Sequence, residues 1–245
     1  VLAGNHLDAA ERKPPVEWAH SVQDAASIVR DFSKWDDTPA SLQHFAESMV
    51  RAYKIATTPP MGPVVLVLDA GLQEHTMGNA SPKIPAMSPT IPPQGEAGAI
   101  EEAAGWLLEA EHPLIFADRV ARTPSGMKYL VELAEALQAP VVDKLGRMNF
   151  PNDHYLNQFG QVRSLIRQAD VILGLEMTDF WGSVNSIRDI AIRDERRKAD
   201  PAARLVSIGV GDLYQKSNYQ DFQRYQPVDL SIAGDAEATL PSLIE

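Results

Sequence analysis

Two rhythms of apolar residues alternate along the chain, and together they predict an α/β protein. Residues 64–68 (Val, Val, Leu, Val, Leu) are apolar at every position. Such a run, between Pro63 and Asp69, marks a strand buried on both faces of a parallel sheet. Ahead of it, Leu42, Phe45, Ala46, Met49, Val50 and Tyr53 recur at helical spacing. Thr38 is the expected cap of that helix and Pro39 falls in its first turn. Val22, Ala25, Ala26 and Val29 predict a further helix over 21–32. Val1, Leu2 and Ala3, running into Gly4, read as a buried strand and a turn.

From 73 to 94 the rhythm stops. Pro82, Pro85, Pro89, Pro92 and Pro93 stand among Ser, Thr, Gly and Asn, the composition of an interdomain linker, with a long functional loop as the alternative. Beyond it the alternation is regular. Helices are expected over 99–110, 124–138, 161–168, 184–192 and from 235 onward, and strands over 113–117, 141–142, 169–175, 204–210 and 228–233. This order predicts a Rossmann-like parallel sheet with helices on both faces, preceded by part of a second α/β domain. Ligands of such sheets bind outside the carboxyl ends of the strands.

Composition narrows the function classes. The 245 residues include 22 Lys and Arg against 33 Asp and Glu, a formal charge of -11, which argues against nucleic acid or an anionic membrane as partner. Cys is absent, so disulfides, thiolate metal sites and a cysteine nucleophile are excluded. No apolar run approaches the ~18–20 residues that cross a bilayer, and a cytoplasmic location is expected. The start lacks both Met and a basic leader, as though the sequence opened inside a domain.

Standard cofactor fingerprints are missing. Neither G-x-G-x-x-G nor G-x-x-x-x-G-K-[ST] occurs, and Gly209-Val210-Gly211 reads as a turn. The six His residues show no ligand spacing, so no metal site is expected. His44 and His112 read as solvated, and His20 alone is singled out, beside its reading as a helix-start residue. Asp36-Asp37 and Glu101-Glu102 are neighbours in sequence only, and the mixed-sign run 193–198 reads as an exposed end following a helix. More informative are the expected strand ends: Asp118, Arg119 and Arg122; Lys144, Leu145 and Gly146; Glu176, Met177 and Thr178; Gly211 and Asp212. Arg119 or Arg122 could grip a phosphate and Gly146 could let backbone approach a ligand.

Several segments, in order, resemble the thiamine diphosphate-dependent enzymes of the acetolactate synthase type. They are Pro63 through Asp69 with Leu72-Gln73, the Pro-rich stretch, Ala103-Ala104-Gly105-Trp106 before the strand at 113–117, and the run 133–142. Phe150-Pro151-Asn152-Asp153-His154 follows, then 169–175, 204–208 and 228–235. The resemblance implies the C-terminal half of a pyrimidine-binding domain over 1–75, a linker over 76–95 and the central Rossmann-like domain over 96–245. It implies thiamine diphosphate and Mg2+ in the complete enzyme, a 2-keto acid substrate, the remaining segments of the same enzyme as partners, and a homo-oligomer. The family's catalytic Glu and its G-D-G…N motif have no counterpart here, so the segment alone is expected to be inactive.

By the same resemblance His20 and Gln23 would line the active-site entrance, with Gln23-Asp24 and Lys34-Trp35 as family-like pairs, and Asn5 would lie near the cofactor. Relatives hold FAD, ADP or nothing in the central domain. Here Asp118-Arg119-Val120 replaces a Gly-rich turn, and Asp118 and Glu176 oppose a phosphate, so ADP is expected before FAD and neither tightly. A stand-alone nucleotide-binding or regulatory module is the alternative function.

Overall fold

The computed structural model describes residues 1–5, 22–187, 191–192, 194–214 and 224–245. The chain divides into two compact units, Val1–Ile91 and Pro92–Glu245. The first carries β1 (Leu2–Gly4), β2 (Trp35–Asp37), α1 (Leu42–Thr57), β3 (Val64–Leu68) and α2 (Ala70–Glu74). Its sheet is parallel, in the order β1-β3-β2. β3 is apolar throughout because both its faces are covered: Val65 and Val67 pack with Ala26, while Val64 and Leu66 pack with Ala52 and with Trp35, Phe45 and Ile55.

Three expectations for this unit change. β1 is not buried: it lies at the sheet edge, and Leu2 is 57% exposed. α1 starts at Leu42, capped by Ser41 and not by Thr38. The Ser41 side chain accepts from the His44 N–H at 3.1 Å, while the Asp37 carboxylate has already taken the Thr38 N–H at 2.9 Å. Within 21–32 the described residues form two short 3-10 segments, Ala25–Ile28 and Arg30–Phe32. Asp24 is the reason. It caps at Ser27 and grips the Arg30 guanidinium at 2.8 and 2.9 Å, the local bonding with which Asp competes against a continuous helix.

The expected linker, 76–95, has no helix or strand and is anchored near both ends. The Gln43 side chain accepts from the Lys83 N–H at 2.8 Å and donates to the Lys83 carbonyl at 3.0 Å. At the other end, within the second unit, the Pro93 carbonyl accepts from the Asp235 N–H at 2.8 Å.

The second unit contains α3 (Ala97–Glu109), β4 (Pro113–Ala117), α4 (Pro124–Leu137), β5 (Val141–Asp143), α5 (Val162–Gln168), β6 (Val171–Leu175) and α6 (Phe180–Val184). β7 (Asn185–Ile187), β8 (Glu195–Arg197), β9 (Arg204–Gly209), β10 (Leu230–Ala233) and α7 (Ala236–Ile244) follow. β10, β9, β6, β4 and β5 form one all-parallel sheet in that order. Alternate residues face opposite ways. Ile115, Ala117, Leu173 and Val206 meet Ala103, Leu130 and Leu240 of α3, α4 and α7, whereas Leu114, Phe116, Ile172 and Leu205 meet Ile166 and Val184 of α5 and α6.

The helix expected over 184–192 is absent from the described residues there. Asp179 starts a helix earlier, accepting from the Gly182 N–H at 2.7 Å, and after Val184 the chain turns into β7, which pairs antiparallel with β8. The charge run is therefore partly strand. There Glu195 pairs with Arg224, whose guanidinium lies 4.3 Å from the Trp181 ring centroid.

Candidate functional site

Counted among the five strands of the parallel sheet, the order is 2-1-3-4-5, and the direction of winding reverses between β4 and β6. Crevices at such a reversal are where open α/β sheets hold ligands. The loops after β4, β5 and β6 border an open depression of about 660 Å³ there. Arg119, Lys144 and Arg147 bring three cations to its lining, together with Asp118, Thr178 and Asp179.

The lining is built from short-range bonding. The Asp118 carboxylate accepts from the Thr178 N–H at 2.8 Å, joining the β4 loop to the β6 loop. Asp179 is spent on the Gly182 N–H as the cap of α6. The Asp143 carboxylate accepts from the Leu145 N–H at 2.7 Å and holds Leu145 at φ 64°, a left-handed backbone that a branched residue rarely adopts. Asn149, fully buried, donates to the Asp118 carbonyl at 2.7 Å and to Asp143 at 2.8 Å, and accepts from the Ala121 N–H at 3.1 Å. The Lys144 ammonium sits 5.8 Å from the Phe116 ring centroid. Burial holds Arg147 below its ordinary pKa, and the neighbouring Arg122 and Arg119 guanidiniums pull the same way. The three cations share the lining with the Asp118 and Asp179 carboxylates, and Glu237 and Glu176 act on Arg147 in the opposite sense.

Behind the loops lies a second charged cluster. The Arg122 guanidinium pairs with Asp235, and Glu237 accepts from the backbone N–H groups of Arg122 and Thr123 and from the Thr123 hydroxyl. Glu176, at φ 49°, accepts from the Ala236 N–H at 2.9 Å and the Val210 N–H at 3.2 Å. Burial pushes its carboxyl up to about 7, against the opposing pull of those two N–H groups.

Among the residues singled out from sequence, Asp118, Arg119, Lys144, Leu145, Gly146 and Thr178 line the depression. Three of the expected residues have close partners within the protein. Arg122 is held by Asp235, 113 residues away, and is not in the lining. Glu176 bonds to Val210 and Ala236 and does not stand against a phosphate. Gly146 lacks a side chain because Asp118 occupies the space: an added Cβ would lie 2.8 Å from the Asp118 carbonyl oxygen, so its freedom serves the meeting of two loops. Asp118 lines the site with its charge committed to Thr178. Gly211 opens a 3-10 turn, Gly211–Leu213, outside the lining.

In the first unit Asn5 donates to the Val22 carbonyl at 2.8 Å, and Gln23 is exposed. Lys34 donates to the Ile55 and Thr58 carbonyls, closing the end of α1. His20 lies outside the described residues. The loop 144–147, expected to touch a ligand, brings Arg147 to the lining, whereas sequence reasoning missed Asp179, Asp143 and Asn149 as site residues. The cations carried a signal, since Arg147 sits in the same strand-end loop as Lys144, whereas Asn149 bonds mainly to backbone and had none.

The described residues do not fit a metal-bound diphosphate. No group of three or more His, Asp or Glu among them could hold a metal ion. Asp235, which follows Gly234 but is followed by Ala236 and not by the Gly of the family's G-D-G motif, caps α7 through the Ala238 N–H and pairs with Arg122.

The family model described as thiamine pyrophosphate enzyme, central domain, matches residues 100–243. A probable acetolactate synthase large subunit of Methanocaldococcus jannaschii is 25% identical over 90% of the chain and 37% of its own length. The 3D-(3,5/4)-trihydroxycyclohexane-1,2-dione hydrolase of Listeria innocua is 23% identical over 86% of the chain and 32% of its own length. The chain thus spans about a third of these curated relatives. The crystal structure of benzoylformate decarboxylase from Polynucleobacter necessarius shares the fold, with a TM-score of 0.69 at 22% identity over 92% of the chain and 40% of that structure. The family model covers more than half of the chain and every residue lining the depression, and the chain belongs to the thiamine pyrophosphate enzyme family through this central domain.

Proposed function

We propose that the chain is the C-terminal half of a pyrimidine-binding domain plus the central domain of a thiamine diphosphate-dependent 2-keto acid decarboxylase or carboligase of the acetolactate synthase type. It would work with the remaining segments of the same enzyme in a cytoplasmic homo-oligomer. The observation that carries this reading is that the match to the acetolactate synthase relative runs over 90% of the chain, beyond the central domain. Thiamine diphosphate with Mg2+ supplies the electron sink for decarboxylation when bound. In this reading the remaining segments of the enzyme supply its metal site, and the 245-residue chain by itself does not turn over substrate. Assaying carbon dioxide release from pyruvate with Mg2+ and thiamine diphosphate tests this: activity in the 245-residue chain alone would overturn it.

The contribution of this chain's own residues is to bind an anion. Arg119, Lys144 and Arg147 at the winding reversal favour the phosphates of a nucleotide, with charge-assisted bonds in place of the missing Gly-rich turn. An open depression suits ADP in preference to FAD, and weak binding of either. Titrating the chain with both, then repeating with Arg119→Ala, checks the ranking. Tight FAD binding unaffected by the substitution rejects it.

A further inference from the structure

Asn149 is wholly buried, yet it belongs to neither apolar core cluster. Its amide nitrogen donates to the Asp118 carbonyl and the Asp143 carboxylate at 2.7 and 2.8 Å, with the Arg147 carbonyl at 3.2 Å, and its oxygen accepts from Ala121. Those partners fall on two loops. One, after β4, carries Arg119; the other, after β5, carries Lys144 and Arg147. Asp143 extends the same clasp, because the carboxylate oxygen that accepts from Asn149 also accepts from the Leu145 N–H and sets the left-handed turn between Lys144 and Gly146. Burying an amide is costly unless its bonds are made, and here they link the two cation-bearing loops or close one of them, with one further bond to the Ala117 carbonyl at 3.4 Å at the end of β4. Arg119 and Lys144 bring like charge to the depression from different loops, and the clasp holds those loops together against that repulsion.

We infer that Asn149, seconded by Asp143, is the positioning residue of this anion site, fixing the spacing of Arg119 relative to Lys144 and Arg147 so that a diphosphate is gripped from both loops at once. The inference rests on the reading of the depression as a phosphate site and adds what makes it selective. A single phosphate can be held by the cations of one loop, whereas pyrophosphate reaches both. The ratio of the two affinities therefore reports the spacing, and a loss of stability alone does not move it.

The experiment is calorimetric titration of the 245-residue chain with pyrophosphate and with orthophosphate, for the natural sequence, Asn149→Ala, Asp143→Ala and Asp143→Asn, each checked by thermal melting. The natural chain should prefer pyrophosphate. Both alanine variants should lose about tenfold of that preference, the worth of one charge-assisted hydrogen bond. Asp143→Asn, which keeps the accepting oxygen, should retain the preference. An unchanged preference in folded alanine variants overturns the positioning role. So does a failure of both alanine variants to fold while Asp143→Asn folds, since the clasp is then a folding element. If the natural chain shows no preference for pyrophosphate, the phosphate reading itself fails, and this is seen before any variant is compared.

Discussion

Replacing Glu176 by Gln should reverse its effect on stability between acid and alkaline pH. A rise from 4.5 to about 7 in the folded chain corresponds, at about 1.4 kcal/mol per pH unit, to about 3 kcal/mol. The group is an acid whose folded value is raised, so the folded state holds the extra proton. Its contribution to stability is fully present below about pH 4.5 and is lost as the pH rises to about 7. Gln keeps the shape and never ionises, but its nitrogen faces one of the two N–H groups that Glu176 accepts, from Ala236 and Val210. Leaving that donor unmet costs about 1–2 kcal/mol at every pH. The variant should thus be less stable than the natural chain at pH 5 by up to about 1 kcal/mol and more stable at pH 8 by about 1–2 kcal/mol, because relief of the ionised, desolvated carboxylate outweighs the lost bond there. Urea unfolding at both pH values measures this, with Trp18 and Trp35 replaced by Phe so that Trp106 and Trp181 report the second unit. Titrating groups elsewhere cancel in the difference. A difference that stays constant between pH 5 and 8 would refute the placement of Glu176 as a carboxyl kept out of water.

Arg122→Ala should destabilise the second unit by about 3 kcal/mol in the same urea assay, because it strands Asp235, whose side chain is 3% exposed, without its partner; ADP affinity should change far less than in Arg119→Ala. Limited proteolysis should cut first between residues 84 and 91, beyond the Gln43 anchor at Lys83, where Ile84 and Ile91 are 77% and 89% exposed; a first cut inside 99–245 counts against two separate units.

The parallel strands were legible because burial on both faces leaves a mark that needs no knowledge of partners. β4, spanning Pro113–Ala117, falls on the residues expected, and β3 does likewise. Segments whose outcome depended on a partner were not legible. Residues 185–187 have no helix-breaking residue, yet they pair with β8, and Lys198 and Ala199 bond back to the Val184 carbonyl, a contact that local propensity cannot register. The site divides the same way. That the loops after the strands would matter follows from topology, and Arg119 and Lys144 follow from charge. That Arg122 would be unavailable depends on Asp235 far along the chain, and that Asn149 would matter depends chiefly on carbonyl and N–H groups, which every residue possesses and no sequence distinguishes.

The cationic depression sits on a chain of formal charge -11. At low ionic strength the field of the whole molecule extends about 30 Å, and a multiply charged anion is turned away before it feels the three cations at short range. Added salt shortens that reach to about 10 Å at 0.1 M and removes the barrier sooner than it weakens the grip. Capture is then a local event with no long-range steering: the association rate should rise as salt is first added, the residence time should fall, and affinity should pass through a shallow maximum in place of the steady decline shown by proteins of uniformly basic surface.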